Sequence, residues 1–208
     1  CGPEGIYVST LGGGGKDGTD GPPGIFIMDC ETFDVIGRYE MDRGEQDKHY
    51  DFWWNLPQDY MVSSEWGLPP QFENGLVPED LLSNKYGHKI HFWDLRGRKN
   101  IQTIDLGENH QMALEIRPAH DPAKDYGFCG VVVDTTNLQG AIFTWWQKDD
   151  GTFEAKKTIT IDPRQRDEIQ RHIRRPHQEQ TWPALDDAQK GRFSGAVRAL
   201  QKRRGATA

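Results

Sequence analysis

Residues 50–67 read YDFWWNLPQDYMVSSEWG, and the parsing of this stretch decides the fold. Two apolar-aromatic runs, DFWW and YMVSSEW, flank the break NLPQ, whose proline has no N–H to give to a ladder. Each run is short, rich in aromatic and β-branched residues, and bounded by Asn, Asp, Pro or Gly, which is the pattern of strand, turn, strand. Trp53, Trp54 and Trp66 fall within fourteen positions of a chain that is only 35% hydrophobic. In a strand, neighbouring side chains point to opposite faces. Adjacent Trp53 and Trp54 are therefore expected to fill two different packing layers.

The rhythm continues outward from there. Downstream, HKIHFWDL and NIQTIDLG are joined by RGRK, making four strands between about Asp51 and Leu106 with a long insert, Leu68 to Gly87, between the second and third. MALEIRP, YGFCGVVVDTT, AIFTWWQ and FEAKKTITID form a second quartet, in which Trp145 and Trp146 repeat the paired indoles. Upstream, GIYVSTL, GIFIMDCE and VIGRYEM supply three strands, with GGGGKDGTDGPP as the loop between the first two. The hairpin between third and fourth strands is polar each time: DCETFD, DLRGRK and QKDDGT.

Quartets of short antiparallel strands at a spacing of about 50 residues are the mark of β-propeller blades. A sandwich also has many strands but not this quartet repeat. The expected fold is all-β: a β-propeller fragment of about two and three-quarter four-stranded blades, near residues 1–45, 46–108 and 109–162. Propellers close with roughly four to eight blades, so blade faces are left open at both ends. The chain is expected to be a fragment, or to self-associate or bind protein partners through those faces. After Pro163 the rhythm stops. Residues 163–208 read as a tail outside the propeller, helical or disordered, with Phe193, Val197 and Leu200 at helical spacing and Gly191 and Gly195 against it.

Charge narrows the function classes. Residues 163–208 carry 11 Lys+Arg against 5 Asp+Glu, leaving 14 against 27 in residues 1–162. An acidic body argues against nucleic-acid binding, and the basic tail lacks an aromatic stacking platform. No apolar run approaches the roughly 20 residues of a membrane helix, and no signal peptide is visible, so either a cytoplasmic or a periplasmic location fits. Cys1, Cys30 and Cys129 form no CxxC pair and read as free thiols, the latter two as small buried residues. The run GGGGKDG lacks the GK[ST] of a phosphate-binding loop.

The runs YDFWW, SSEWG, NGLVPEDLL, KYGHKIHFWDL, QTIDLG, LEIRPAHDP and YGFCGVVV resemble the selenium-binding protein family, whose bacterial members include methanethiol oxidases. CGPEGIYVSTLGG is similar to the family segment that follows a His-Cys pair, with Cys1 as that cysteine. The resemblance covers residues 1 to about 162. It implies a seven-bladed propeller of about twice this length. It also implies a copper-dependent oxidase converting methanethiol, a small thiol, with dioxygen and water to formaldehyde, hydrogen sulfide and hydrogen peroxide. Animal relatives bind selenium. The family's selenium-linked cysteine, a His-rich segment and other histidine-bearing blades fall outside this chain, which puts most candidate ligands elsewhere and predicts little activity for the chain alone.

Copper favours imidazole and thiolate donors, so the histidines are the residues to sort. His120 in LEIRPAHDP is the first candidate metal ligand, at the end of an innermost, channel-lining strand stiffened by Pro118 and Pro122. His88 is the second. His91, three positions on, points to the other side of the strand and cannot join it. His49 and His110 precede first strands and are expected in solvated loops, and His172 and His177 lie in the tail. Glu115 and Arg117 share a face, as an ion pair or with Glu115 orienting a ligand imidazole. Glu65 and Glu115 are weak catalytic candidates, Glu65 more plausibly holding a neighbouring turn. Cys1 is the cysteine the resemblance ties to metal or selenium.

Overall fold

A computed structural model describes residues 2–13 and 21–162, so the expected tail and Cys1 lie outside the described residues. The fold is all-β. Three antiparallel sheets run in simple meander order, with no crossover. The first sheet contains β1 (Ile6–Thr10), β2 (Gly24–Met28) and β3 (Val35–Arg38). The second contains β4 (Phe52–Asn55), β5 (Tyr60–Ser64), β6 (Lys89–Asp94) and β7 (Lys99–Asp105). The third contains β8 (His110–Pro118), β9 (Tyr126–Asp134), β10 (Gln139–Gln147) and β11 (Phe153–Ile161). This is the arrangement of a β-propeller fragment, with one three-stranded and two four-stranded sheets.

The break NLPQ becomes a one-turn 3-10 helix, Leu56–Gln58. Asn55 accepts the Gln58 N–H through its side chain, and Asp59 closes the turn in the left-handed region at φ 60°. That geometry fixes the register of β4 on β5, from Phe52↔Ser63 to Asn55↔Tyr60. All five residues of β5 are buried, because the second sheet is covered on both faces. This is why YMVSS reads as an unbroken run and does not alternate.

Two aromatic layers do the covering. Between the second and third sheets, Tyr60, Val62, Ile90 and Phe92 meet Ile116, Cys129, Phe143, Trp145 and Phe153. Phe92 stacks on Phe153 with centroids 3.8 Å apart, and the Trp145 ring meets Phe92 edge-on at 5.3 Å. Between the first and second sheets, Ile25, Ile27 and Tyr39 meet Met61, Trp93 and Leu95, with Tyr7 and Trp54 packed alongside. Trp93 donates its indole N–H to Ser63 Oγ at 2.9 Å, which satisfies the polar edge of a fully buried ring. Burying each such side chain is worth on the order of 1.5–3 kcal/mol.

The paired indoles divide as their strands require. Trp54 turns toward the first sheet and meets Tyr7 at 5.3 Å, while Trp145 is fully buried against the second. Trp53 departs from the expected core role: it is 44% exposed and stacks under the Arg117 guanidinium at 4.7 Å. The polar run QKDDGT is the hairpin between the third and fourth strands of the last sheet, as expected, and Lys148 donates its backbone N–H to the Thr152 carbonyl there. Asp29, Asp94 and Asp134 each open a turn whose aspartate Oδ1 accepts backbone N–H groups two or three residues on. Each turn places a non-glycine residue in the left-handed region at its fifth position: Phe33, Arg98 and Leu138. DTTNLQ, between the second and third strands of its sheet, shares this turn geometry with DCETFD and DLRGRK. Asp–X–X–X–αL is the shared device, since an aspartate bonding its own turn relieves the cost of the positive φ.

The insert carries structure that its sequence did not announce. A short helix, α1 (Pro78–Leu82), follows a 3-10 turn at Pro69–Gln71. Trp66 stacks on Phe72 at 4.2 Å, and Gln111 donates to the Leu81 carbonyl and the Asn84 side chain, tying the insert to the third sheet. Cys129 is buried as expected, but Cys30 is exposed, because it sits in the Asp29-led turn rather than on β2. Among the described residues, no helix is long and apolar enough to cross a membrane.

Candidate functional site

The second and third sheets bring β4 and β8 side by side at one edge of the stack. Where these strands end, they part around a cleft of about 660 Å³. Trp53, Trp54, Asn55, Leu56 and Pro57 form one wall, and Arg117, Pro118, Ala119, His120 and Pro122 form the other. A smaller hollow of about 280 Å³, lined by Asp51, Phe52, both tryptophans and Arg117, adjoins it. The walls are mainly apolar with few convergent polar groups, the usual makeup of a small-molecule site.

The polar groups are held by specific ties. Asp51 Oδ2 accepts the Ile116 backbone N–H at 2.9 Å and a hydrogen bond from Arg117 Nη1, so the start of one sheet grips the innermost strand of the next. Arg117 Nη2 reaches Glu115 Oε2 at 2.7 Å, the ion pair expected from their shared face. Its guanidinium is thus flanked by two carboxylates and laid over Trp53, which neutralises its charge within the protein and leaves it a structural wall. Asn55 Nδ2 donates to the Pro122 carbonyl at 3.3 Å, closing the cleft's far end.

His120 stands exposed at the rim of this cleft and is the one imidazole in its lining among the described residues. His88 does not share the site: its Nδ1 pairs with the exposed Asp105 at 2.8 Å. Glu65 is buried. Its Oε1 accepts the backbone N–H groups of Asp47 and Lys48 at 3.2 and 3.3 Å and His91 Nε2 at 2.9 Å, so it clamps the turn leading into β4. His91 is itself buried, with Thr103 Oγ1 2.9 Å from its Nδ1. No three His, Cys, Asp or Glu side chains among the described residues are grouped to hold a metal ion. The described residues therefore do not by themselves fit a copper ion.

Two histidines overturn the expectation of solvated loops. His49 is fully buried: its Nδ1 lies 3.1 Å from Gln46 Nε2, its ring packs near Phe52, and its Nε2 has no partner. Burial, reinforced by His91 and by Arg43 and Arg38, pushes its pKa down to about 3. His110 lies on β8, with Nδ1 2.7 Å from the Leu106 carbonyl and Nε2 3.3 Å from Asp134 Oδ2. Burial would raise the Asp134 carboxyl, but hydrogen bonds from Thr136, Asn109 and Lys157 hold it well below the usual carboxylate range. The two sheets thus repeat one corner, a buried carboxylate at the end of the second strand (Glu65, Asp134) paired with a histidine. The sequence hides it because the partners lie 24 or more positions apart.

The residues that shape the cleft were also partly missed. Asp51, Asn55 and Arg117 carry no motif of their own, and Trp53 read as core. The available signal was position: Trp53 is one residue out of phase with Trp54 on the strand nearest the stack's edge.

Comparison with known proteins gives a consistent set of relatives. The family described as 56kDa selenium binding protein (SBP56) matches residues 1–176. A zebrafish (Danio rerio) methanethiol oxidase is 37% identical over 156 residues, which is 75% of this chain and 32% of that protein. A mouse (Mus musculus) selenium-binding protein 2 is 34% identical over 160 residues, 75% of this chain and 31% of that protein. The crystal structure of a hypothetical selenium-binding protein from Sulfolobus tokodaii superposes with a TM-score of 0.71 at 47% identity, covering 77% of this chain and 34% of that one. The chain spans about a third of the length of the curated relatives it matches.

Proposed function

The chain belongs to the 56 kDa selenium-binding protein family, and on that premise we propose that it forms part of a thiol-oxidising enzyme. The overall reaction takes methanethiol, dioxygen and water to formaldehyde, hydrogen sulfide and hydrogen peroxide. In it the thiol carbon is oxidised, the C–S bond breaks, and dioxygen accepts the two electrons. The observation that carries this reading is the β4–β8 cleft, whose Trp, Pro and Leu walls suit a small apolar thiol and whose rim presents His120. The names of the curated relatives support it.

The chain's own residues have definable work in such a site. Trp53, Pro57 and Pro118 exclude water from the methyl group, and desolvation strengthens any charge interaction at the sulfur. Asp51 holds Arg117 and so keeps the Trp53 wall in place. Copper-dependent oxidation is proposed only of the longer protein, with His120 as the imidazole this chain offers and the other donors supplied from outside the described residues. The test is direct: the 208-residue chain is incubated with copper(II) and methanethiol, and sulfide and peroxide are measured. We expect no turnover above free copper. Sustained turnover abolished by His120→Ala would show a complete site within this chain and refute the division of ligands.

A binding role without catalysis is the second reading, favoured by the mouse relative named for selenium binding. It predicts selenium incorporation with no product from methanethiol even in the full-length protein.

A further inference from the structure

Oxidation chemistry in the β4–β8 cleft puts its own walls at risk, and indole is the wall group that gives up an electron most readily. Of the two cleft tryptophans, Trp53 has its ring under the Arg117 guanidinium at 4.7 Å. Trp54 is placed differently. Its ring turns toward the first sheet and meets the Tyr7 ring edge-on, with centroids 5.3 Å apart. Tyr7 in turn stands 5.4 Å from Tyr39, which stands 6.2 Å from Trp93. A row of oxidisable rings in contact thus leads from the cleft wall into the layer between the first and second sheets. All four rings belong to strands or loops of those two sheets, so the contacts do not depend on what covers the outer faces of the stack.

We propose that Tyr7 is an electron donor to Trp54, and that the pair carries oxidising equivalents out of the cleft before its wall is damaged. The oxidant is an oxygen-centred radical derived from peroxide, so the use of the pair rests on the thiol-oxidising reading, although its existence does not. In the first step Trp54 gives one electron to the oxidant and its indole N–H proton to water. In the second, Tyr7 gives one electron across the ring contact and its O–H proton to water, and Trp54 takes a proton back. The net change is one electron and one proton lost by Tyr7, one electron gained by the oxidant, and Trp54 restored.

The surroundings of the two phenols decide where the radical stops. The Tyr7 oxygen is hydrogen-bonded by the Glu4 backbone, which leaves its own O–H proton free to depart. The exposed Glu4 carboxylate, paired with Arg98 at 3.3 Å, acts on the same phenol and draws that proton toward water. Tyr39 is fully buried and donates its O–H to the Asp94 and Leu95 carbonyls at 3.3 and 3.1 Å. Neutral carbonyls do not take a proton. The Arg98 guanidinium, 5.8 Å from the Tyr39 ring centroid, also opposes the positive charge that electron loss would leave there. Burial pushes the Tyr39 phenol well above its ordinary range, in the same direction. Trp93, behind it, is fully buried with its N–H held by Ser63 Oγ. The radical therefore comes to rest on Tyr7 and not in the core.

The test uses the 208-residue chain without copper or methanethiol. Ruthenium(III) tris(bipyridine), generated by light with a cobalt(III) ammine as quencher, serves as the one-electron oxidant. Peptide mass mapping then reads indole oxidation at Trp53 and Trp54 and nitroso spin-trap adducts at the tyrosines. The wild type is expected to carry the adduct at Tyr7 with Trp54 largely intact. Tyr7→Phe, which keeps the ring and its packing, should raise Trp54 oxidation several-fold and leave Trp53 unchanged. Trp54→Phe should remove most of the Tyr7 adduct. Tyr7→Leu and Trp54→Leu repeat the measurement should either Phe variant lose its β-sheet circular dichroism. Unchanged Trp54 oxidation without Tyr7, or an undiminished Tyr7 adduct without Trp54, would overturn the proposal. Absence of sulfide release from methanethiol by the full-length protein would instead refute the oxidase reading and leave these results standing.

Discussion

Acid should loosen this protein through one residue, His49. Its ring is fully buried, its Nε2 has no partner, and the charged groups facing it include Arg43, Arg38 and the His91–Glu65 pair. The folded pKa of about 3 lies below the ordinary value of 6.5, so the unfolded chain binds the proton more readily. The contribution is therefore complete above pH 6.5 and is lost progressively as pH falls from there toward 3. Between pH 8 and pH 5 the linkage relation gives a loss of about 2 kcal/mol from this one group. The assay is urea denaturation followed by tryptophan fluorescence at fixed protein concentration, comparing wild type with His49→Phe and His49→Asn. Both variants are expected to show a flatter dependence over that window, whatever their absolute stability. Equal slopes in wild type and variants would refute the reasoning.

Other expectations follow from single contacts. Asp51→Ala removes the acceptor of the Ile116 N–H and one anchor of the half-exposed Arg117. It should cost about 1–2 kcal/mol by urea denaturation, most of it from the backbone bond, and a loss below 0.3 kcal/mol would show that the strands are held by other means. Phe92→Ala, deleting a fully buried ring stacked on Phe153, should cost about 3–5 kcal/mol, whereas Leu82→Ala on the exposed helix should stay within about 0.5 kcal/mol. Equal effects would contradict the described packing. Iodoacetamide should label Cys30 in the native protein and Cys129 only after unfolding, since burial pushes the Cys129 thiol up and hides it, as peptide mass mapping would reveal.

The sequence exposed the sheets more readily than the site, for physical reasons that particular residues make clear. Strand alternation is local, so DFWW, YMVSS and KIHFWD could be parsed from their own side chains and turns. The environment of His49 and His110 is not local. It depends on Gln46, Phe52, Asp134 and the neighbouring sheet, and nothing in the few residues around either histidine announces it. The same applies to Trp53 and Trp54, identical in type and adjacent: both line the cleft, but only Trp54 also packs against the first sheet, while Trp53 is left half exposed under Arg117. The Asp-led turn geometry went unread because polar turns look alike in composition. What distinguishes DCETFD, DLRGRK and DTTNLQ is the leading aspartate and the left-handed fifth residue, a backbone property. His120 was legible as a candidate because Pro118 and Pro122 mark the end of its strand.

The central claim is that a small thiol binds where β4 and β8 part. Titrating methanethiol into the chain under anaerobic conditions, with the histidine ring protons followed by NMR, tests it most directly. Saturable shifts at His120, with His88 unmoved on its Asp105 partner, are the predicted result. Shifts at His88 alone, or none at any histidine as the thiol reaches millimolar levels, would contradict it.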